Sequence, residues 1–154
     1  MHRLCIGALD RRTSTIVDSI NPAQRSENMR RIKSANTKPE ILVRRIAHRM
    51  GFRFTLNRSD LPGKPDLAFA GRRKVIFVHG CFWHQHTSCA DGRAPKTRTE
   101  YWIPKLKRNV SRDVAVRKQL TKSGWKTLVI WQCQLNNEAS IDRIRERIRR
   151  FLTQ

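Results

Sequence analysis

Four apolar residues, Val75-Ile76-Phe77-Val78, run without a break into the stretch Val78-His79-Gly80-Cys81-Phe82-Trp83-His84-Gln85-His86-Thr87-Ser88-Cys89. The run is too short for a helix and rich in branched side chains, so it reads as a buried strand. Its end opens into a loop that holds three of the five histidines, two of the four cysteines and a Phe-Trp pair. Whatever this chain folds into must carry that loop at the end of a core strand. The rest of the sequence can be read as its support.

Length and charge narrow the choices. The chain has 154 residues, which suits one compact domain, and 38% of them are hydrophobic, enough for a modest core. Lys and Arg number 33 against 12 Asp and Glu, a formal charge of +21. So large an excess opposes compaction and calls for a polyanionic partner. The positive residues are spread along the whole chain, which favours nucleic acid. A membrane surface fits less well, because no helix pairs a basic face with a large apolar one. No apolar run is long enough to span a bilayer, and the first residues lack the apolar core of a secretory signal. The expected setting is therefore cytoplasmic, close to the nucleoid. There, clustered Cys and His point to a metal more readily than to disulfides.

In chain order, residues 1–20 show no period and are expected to form a flexible N-terminal extension, with Cys5 a free thiol. A single domain is expected over 21–154. Residues 22–34 look like a short basic helix. Thr37-Lys38-Pro39-Glu40 is a helix start, with a Thr cap, an early Pro and a Glu three residues after the cap. Ile41, Leu42, Ile46, Ala47 and Met50 form the apolar stripe of that helix, and Gly51 stops it. Strands are expected over 52–56, 66–70, 74–79 and 125–131. Helices are expected over 99–122, where Asn109 offers a break, and over 138–152. Pro104 is tolerable only in a first turn. Trp125 and Trp131 read as core residues. The order β-β-β-α-β-α behind a leading helix implies an α/β fold, a central mixed sheet flanked by helices.

Cys81, His86 and Cys89 lie close together, and Cys133 follows a strand that would pair with 74–79. These four make a Cys3His set, the composition of a closed, structural zinc site. The competing reading is packed or free cysteines, and His84 competes with His86 as the imidazole ligand. His79 and the histidine left over are then free for other chemistry. A nuclease needs a carboxylate for Mg²⁺ and a group that moves protons. Asp66, at the start of a strand after a Gly-Pro-rich loop, is well placed for the first. Glu40 already has an explanation as a capping partner. Asp113 could orient a histidine or pair with Arg112. Phe82, Trp83 and Trp102 suit base stacking or wedging into a duplex. Phe82 and Trp83 could equally cover the metal.

Five blocks together resemble one family: Arg25-Ser26 with Asn28-Met29-Arg30, Leu61-Pro62-Gly63-Lys64-Pro65-Asp66, Phe77-Val78-His79-Gly80-Cys81-Phe82-Trp83-His84, Lys96-Thr97-Arg98-Thr99-Glu100-Tyr101-Trp102, and Asn109-Val110 with Arg112-Asp113. They are similar to the very short patch repair (Vsr) DNA mismatch endonucleases, from about residue 24 to 135. The resemblance implies a restriction-endonuclease-like fold with a structural zinc site. It implies a Mg²⁺-dependent nick in one strand, 5′ of the thymine of a T·G mismatch left by deaminated 5-methylcytosine. By matching position, Asp66 would bind Mg²⁺ with the backbone carbonyl of Val78. His84 would transfer the proton, and His79 would support metal-bound waters with Asp113 and Glu40 behind it. Phe82, Trp83 and Trp102 would form the intercalating wedge. Cys81, His86, Cys89 and Cys133 would bind zinc. Residues 1–20 have no counterpart in the family. His79 stands where most restriction-like nucleases carry further acidic and basic residues.

The expected partner is double-stranded DNA carrying the mismatch. MutL and a cytosine-5 methyltransferase are associates that the resemblance suggests. One active site suffices to nick one strand, so a monomer is the simplest state. Two other functions compete: a zinc-stabilised nucleic-acid-binding module without catalysis, and a restriction-type nuclease of the same fold.

Overall fold

In a computed structural model, residues 36–154 are described. The expected extension over 1–20, Cys5 and the basic helix over 22–34 lie outside them. The elements are α1 (Lys38–Arg49), β1 (Thr55–Leu56), β2 (Leu67–Phe69), β3 (Lys74–His79), α2 (Thr99–Lys122), β4 (Lys126–Trp131) and α3 (Glu138–Thr153). Short 3-10 turns follow β2, precede α2 and follow β4, the last at Gln132–Leu135.

The sheet order is β1-β2-β3-β4. The first three strands pair antiparallel, while β3 and β4 run parallel with Lys74 opposite Lys126 and His79 opposite Trp131. The sheet is therefore mixed, and α2 is the crossover that a parallel pair requires. Alternation along the strands separates two apolar layers. Leu67, Phe69, Ile76, Leu128 and Ile130 pack with Val43, Ile46 and Ala47 of α1 and Ile144, Ile148 and Leu152 of α3. Ala68, Val75 and Phe77 face the other way, onto Leu120 and Val116 of α2. Complete burial of a residue such as Ile76, Leu67 or Ile148 contributes roughly 1.5–3 kcal/mol each. This frame fixes the direction in which β3 delivers its loop.

Local chemistry explains the boundaries. Gly51, at φ 79°, takes the left-handed conformation that ends α1. Its N–H donates to the His48 carbonyl and that of Phe52 to the Ala47 carbonyl. The capping box at the other end takes a different form. Thr37 caps no backbone N–H and instead donates its hydroxyl to Glu40 Oε1 (2.8 Å), while the N–H of Asn36 donates to Glu40 Oε2 (2.8 Å). Val43 is fully buried in the stripe, whereas Ile41 stands outside the core cluster. The expected strand 52–56 shortens to a two-residue ladder, yet Phe52 and Phe54 still pack edge-on against Phe69. α2 is continuous through Asn109. Pro104 falls beyond its first turn, where the helix forgoes one hydrogen bond.

Candidate active site and metal centre

Because β3 and β4 are parallel and in register, both end at the level of the His79–Trp131 pair. The loop after β3 and the turn after β4 therefore emerge side by side. β2 runs antiparallel to β3, so Asp66, just before β2, reaches the same end. Its Oδ2 accepts the Val78 N–H at 2.7 Å. Burial, the largest influence, pushes the Asp66 carboxyl up to about 6. The Val78 hydrogen bond opposes that rise, Glu40 adds repulsion, and Arg44 and His84 offset part of it.

Glu40 is buried at 6% exposure. Besides Thr37 and Asn36 it engages Arg44 Nη2 at 3.0 Å, so three donors hold its carboxylate. This is more than a helix cap, and the Glu40 charge also repels that of Asp66.

His79, His84 and Asp113 come together, with ligand atoms all within 4.8 Å of one another. Asp113 meets His84 Nδ1 at 2.5 Å, so this carboxylate orients a histidine, and its partner is the loop histidine. With Nδ1–H donated to Asp113, His84 Nε2 is left for external chemistry. The His79 and His84 rings stack at 3.8 Å and 12°. Burial, then the neighbouring His84, lowers His79 to about 4, so His79 stays neutral near pH 7. Burial opposes ionisation of Asp113, but the His84 hydrogen bond and nearby positive charge hold its carboxyl below the usual range.

Cys81, His86, Cys89 and Cys133 form the second cluster, again with ligand atoms within 4.8 Å of one another. His86 Nδ1 lies 3.3 Å from Cys133 Sγ and 3.8 Å from Cys81 Sγ. Ligands about 2.0–2.3 Å from a tetrahedral zinc sit at roughly such separations, so the donor set fits the ion in both type and spacing. Burial pushes the Cys81 thiol up to about 12, a proton that a bound cation would displace. The loop reaches this shape through Gln85, at φ 51°, which turns the chain between His84 and His86. Gly92 lets the next turn close: a Cβ there would stand 2.0 Å from the His86 carbonyl oxygen. Of the two competing imidazoles, His86 joins the cysteines and His84 joins Asp113.

Trp131 departs from its reading as core. It is half-buried, its ring stacks on His86 at 4.3 Å and 15°, and it meets His79 edge-on at 5.4 Å. Trp125 does pack against the α2-side core. Phe82, Trp83 and Trp102 contact one another at 5.0–6.0 Å, and Tyr101 packs edge-on against Trp102 at 5.1 Å. The residue stacked on His86 is thus Trp131, while Phe82 and Trp83 join the aromatic group at the start of α2.

Two further residues hold the loop. Asn109 Nδ2 donates to the Trp83 carbonyl at 3.1 Å, and the Lys105 ammonium lies 5.2–5.6 Å from the Trp83, Tyr101 and Trp102 rings. Trp102, Lys105, Asn109 and Asp113 recur every three or four residues, so α2 presents one face to the loop. That spacing was readable in the sequence. Nothing local in the sequence marks Lys105 or Asn109 for a role.

The family model described as DNA mismatch endonuclease Vsr matches residues 17–91. The chain is 44% identical, over 82% of its length and 93% of the relative's, to Type II nicking enzyme V.XorIIP of Xanthomonas oryzae pv. oryzae. It is 39% identical, over 89% and 95%, to Type II nicking enzyme V.NmeAIP of Neisseria meningitidis serogroup A. It is 37% identical, over 85% and 87%, to DNA mismatch endonuclease Vsr of Escherichia coli K12.

Proposed function

From the premise that this chain belongs to the Vsr DNA mismatch endonuclease family, we propose that it is a Mg²⁺-dependent endonuclease that nicks one strand 5′ of the thymine in a T·G mismatch. We read its mixed sheet with α1 and α2 as the core of a restriction-endonuclease-like fold. The observation that carries the reading is the Asp113–His84 pair, stacked on a neutral His79 at the end of the sheet where Asp66 emerges. A module that only binds nucleic acid has no use for an oriented imidazole with a free nitrogen.

The roles follow from the chemistry of each group. Asp66 and the Val78 carbonyl offer hard oxygen donors, the type magnesium takes, and Glu40 adds negative charge nearby. These residues would hold magnesium, which would supply charge neutralisation at the phosphodiester and a more acidic water. Asp113 holds the His84 tautomer, and His84 Nε2 exchanges a proton with a reacting oxygen. His79, neutral and stacked on His84, hydrogen-bonds water without adding positive charge. Phe82, Trp83 and Trp102 supply flat apolar surface that enters the duplex beside the mismatch. Cys81, His86, Cys89 and Cys133 hold a structural zinc. The protein works as a monomer on DNA in the nucleoid, with MutL and a cytosine-5 methyltransferase as associates. Among the described residues no helix is long and apolar enough to cross a membrane.

The test is a nicking assay with Mg²⁺ on a T·G duplex beside a matched duplex. One nick 5′ of the thymine, absent from the matched duplex and abolished in Asp66→Ala, is expected. No nick, or a nick unchanged in that variant, sinks the proposal.

A further inference from the structure

Trp131 touches both clusters and belongs to neither. It sits at the last position of β4, directly opposite His79 on β3. Its ring lies nearly parallel to that of His86 at 4.3 Å and nearly perpendicular to that of His79 at 5.4 Å. His79 in turn stacks on His84 at 3.8 Å, and His84 is held by Asp113. Four rings therefore stand in a contiguous row, His86, Trp131, His79, His84, that starts at the cysteine cluster and ends at the proton-transfer pair.

Each contact restrains a ring. A parallel stack fixes the plane of the His86 imidazole, and hence the direction in which Nδ1 points toward Cys81 and Cys133. An edge-on contact limits how far His79 can tilt, and the 12° stack passes that limit to His84. Groups behind metal ligands and catalytic imidazoles act by such orientation.

We infer that Trp131 is a positioning residue that couples the metal centre to the catalytic histidines. A bound zinc fixes His86, His86 fixes the Trp131 plane, and that plane sets the pose of His79 and His84. This rests on the proposed roles of His79 and His84. It adds that the zinc site acts on the reaction geometry as well as holding the loop.

The experiment compares the native protein with Trp131→Leu and Trp131→Phe, with thermal melts to establish that each is folded. Zinc transfer to a chromophoric chelator reports the first contact. In Trp131→Leu it should speed up, and kcat for T·G nicking should fall, each by about tenfold or more, while KM for the duplex stays within about twofold. Trp131→Phe, which keeps a flat ring, should recover most of both. The third readout is the ring resonance of His79, assigned with His79→Gln and followed as zinc is exchanged for the larger cadmium ion. It should shift in the native protein and hardly move in Trp131→Leu. Faster zinc loss with unchanged kcat overturns the coupling and leaves Trp131 as a wall of the metal site. So does a His79 resonance equally sensitive to the metal in both proteins. If the native protein nicks nothing, the proposed reaction fails, and the resonance readout still decides the coupling.

Discussion

Asp113 and Asp66 are both carboxylates at the same end of one sheet, and their surroundings drive them apart. The His84 hydrogen bond and nearby positive charge hold Asp113 below the usual range, so it is ionised whenever His84 needs orienting. Asp113→Asn keeps the shape but loses the negative charge, and its amide can donate an N–H to Nδ1, so the His84 tautomer is no longer fixed. It should lower kcat by about a hundredfold or more with little change in KM, measured in single-turnover nicking. Asp66 is raised to about 6, chiefly by burial. A carboxyl raised on folding favours the folded state below its unfolded value near 3.8, and that contribution is lost as pH rises through about 6. In magnesium-free buffer, Asp66→Asn should therefore melt higher than the native protein at pH 8, by on the order of 1–2 kcal/mol after allowance for partial exposure, with the gap closing toward pH 4. A gap independent of pH would refute the burial argument. Neither assignment could be read from the residues alone. Asp113 lies 29 positions from His84, and the sequence left it between a histidine and Arg112. Trp131 was misread for a related reason: a tryptophan at a strand end looks the same whether it fills a core or separates two sites.

Among the elements, the bounds of β3 and α2 were legible, because a continuous apolar run and a long helical period each end at clear breakers, although the break expected near Asn109 does not occur. β1 was legible only as alternation. Phe52 and Phe54 bury as expected, but the ladder has two residues, and a side-chain pattern cannot tell how many backbone pairs form behind it. The shape of the loop after β3 was not legible, since it depends on tight backbone contacts such as Gly92 against the His86 carbonyl. Gly92→Ala must open that turn. It should destabilise the protein by roughly 1–3 kcal/mol in thermal melts and speed zinc transfer to a chelator. An unchanged rate would show that the 3-10 turn is free to move away from His86.

For the molecule as a whole, the formal +21 is the property most exposed to solution conditions. Duplex affinity should fall steeply with salt, by about a thousandfold or more between roughly 50 and 200 mM if six or more phosphates are contacted. A binding titration with the Asp113→Asn variant measures this, and a shallow slope would place most of the charge away from the DNA. The same composition announced a polyanion partner at once, and the Cys3His set was legible from its spacing, whereas the choice between His84 and His86 and the pairing of Asp113 with His84 required the mixed topology to become visible. That topology has a consequence for how the chain reaches its native state. Cys133 meets His86 from 47 positions away, and all of α2 and β4 lies in between. Metal retention therefore demands that a long loop be closed, the step in folding most burdened by lost chain entropy. A metal held by these four residues would be gained late and would clasp the crossover once it has docked. Zinc uptake during refolding should then lag behind helix formation, making the ion a timekeeper of the last long-range contact.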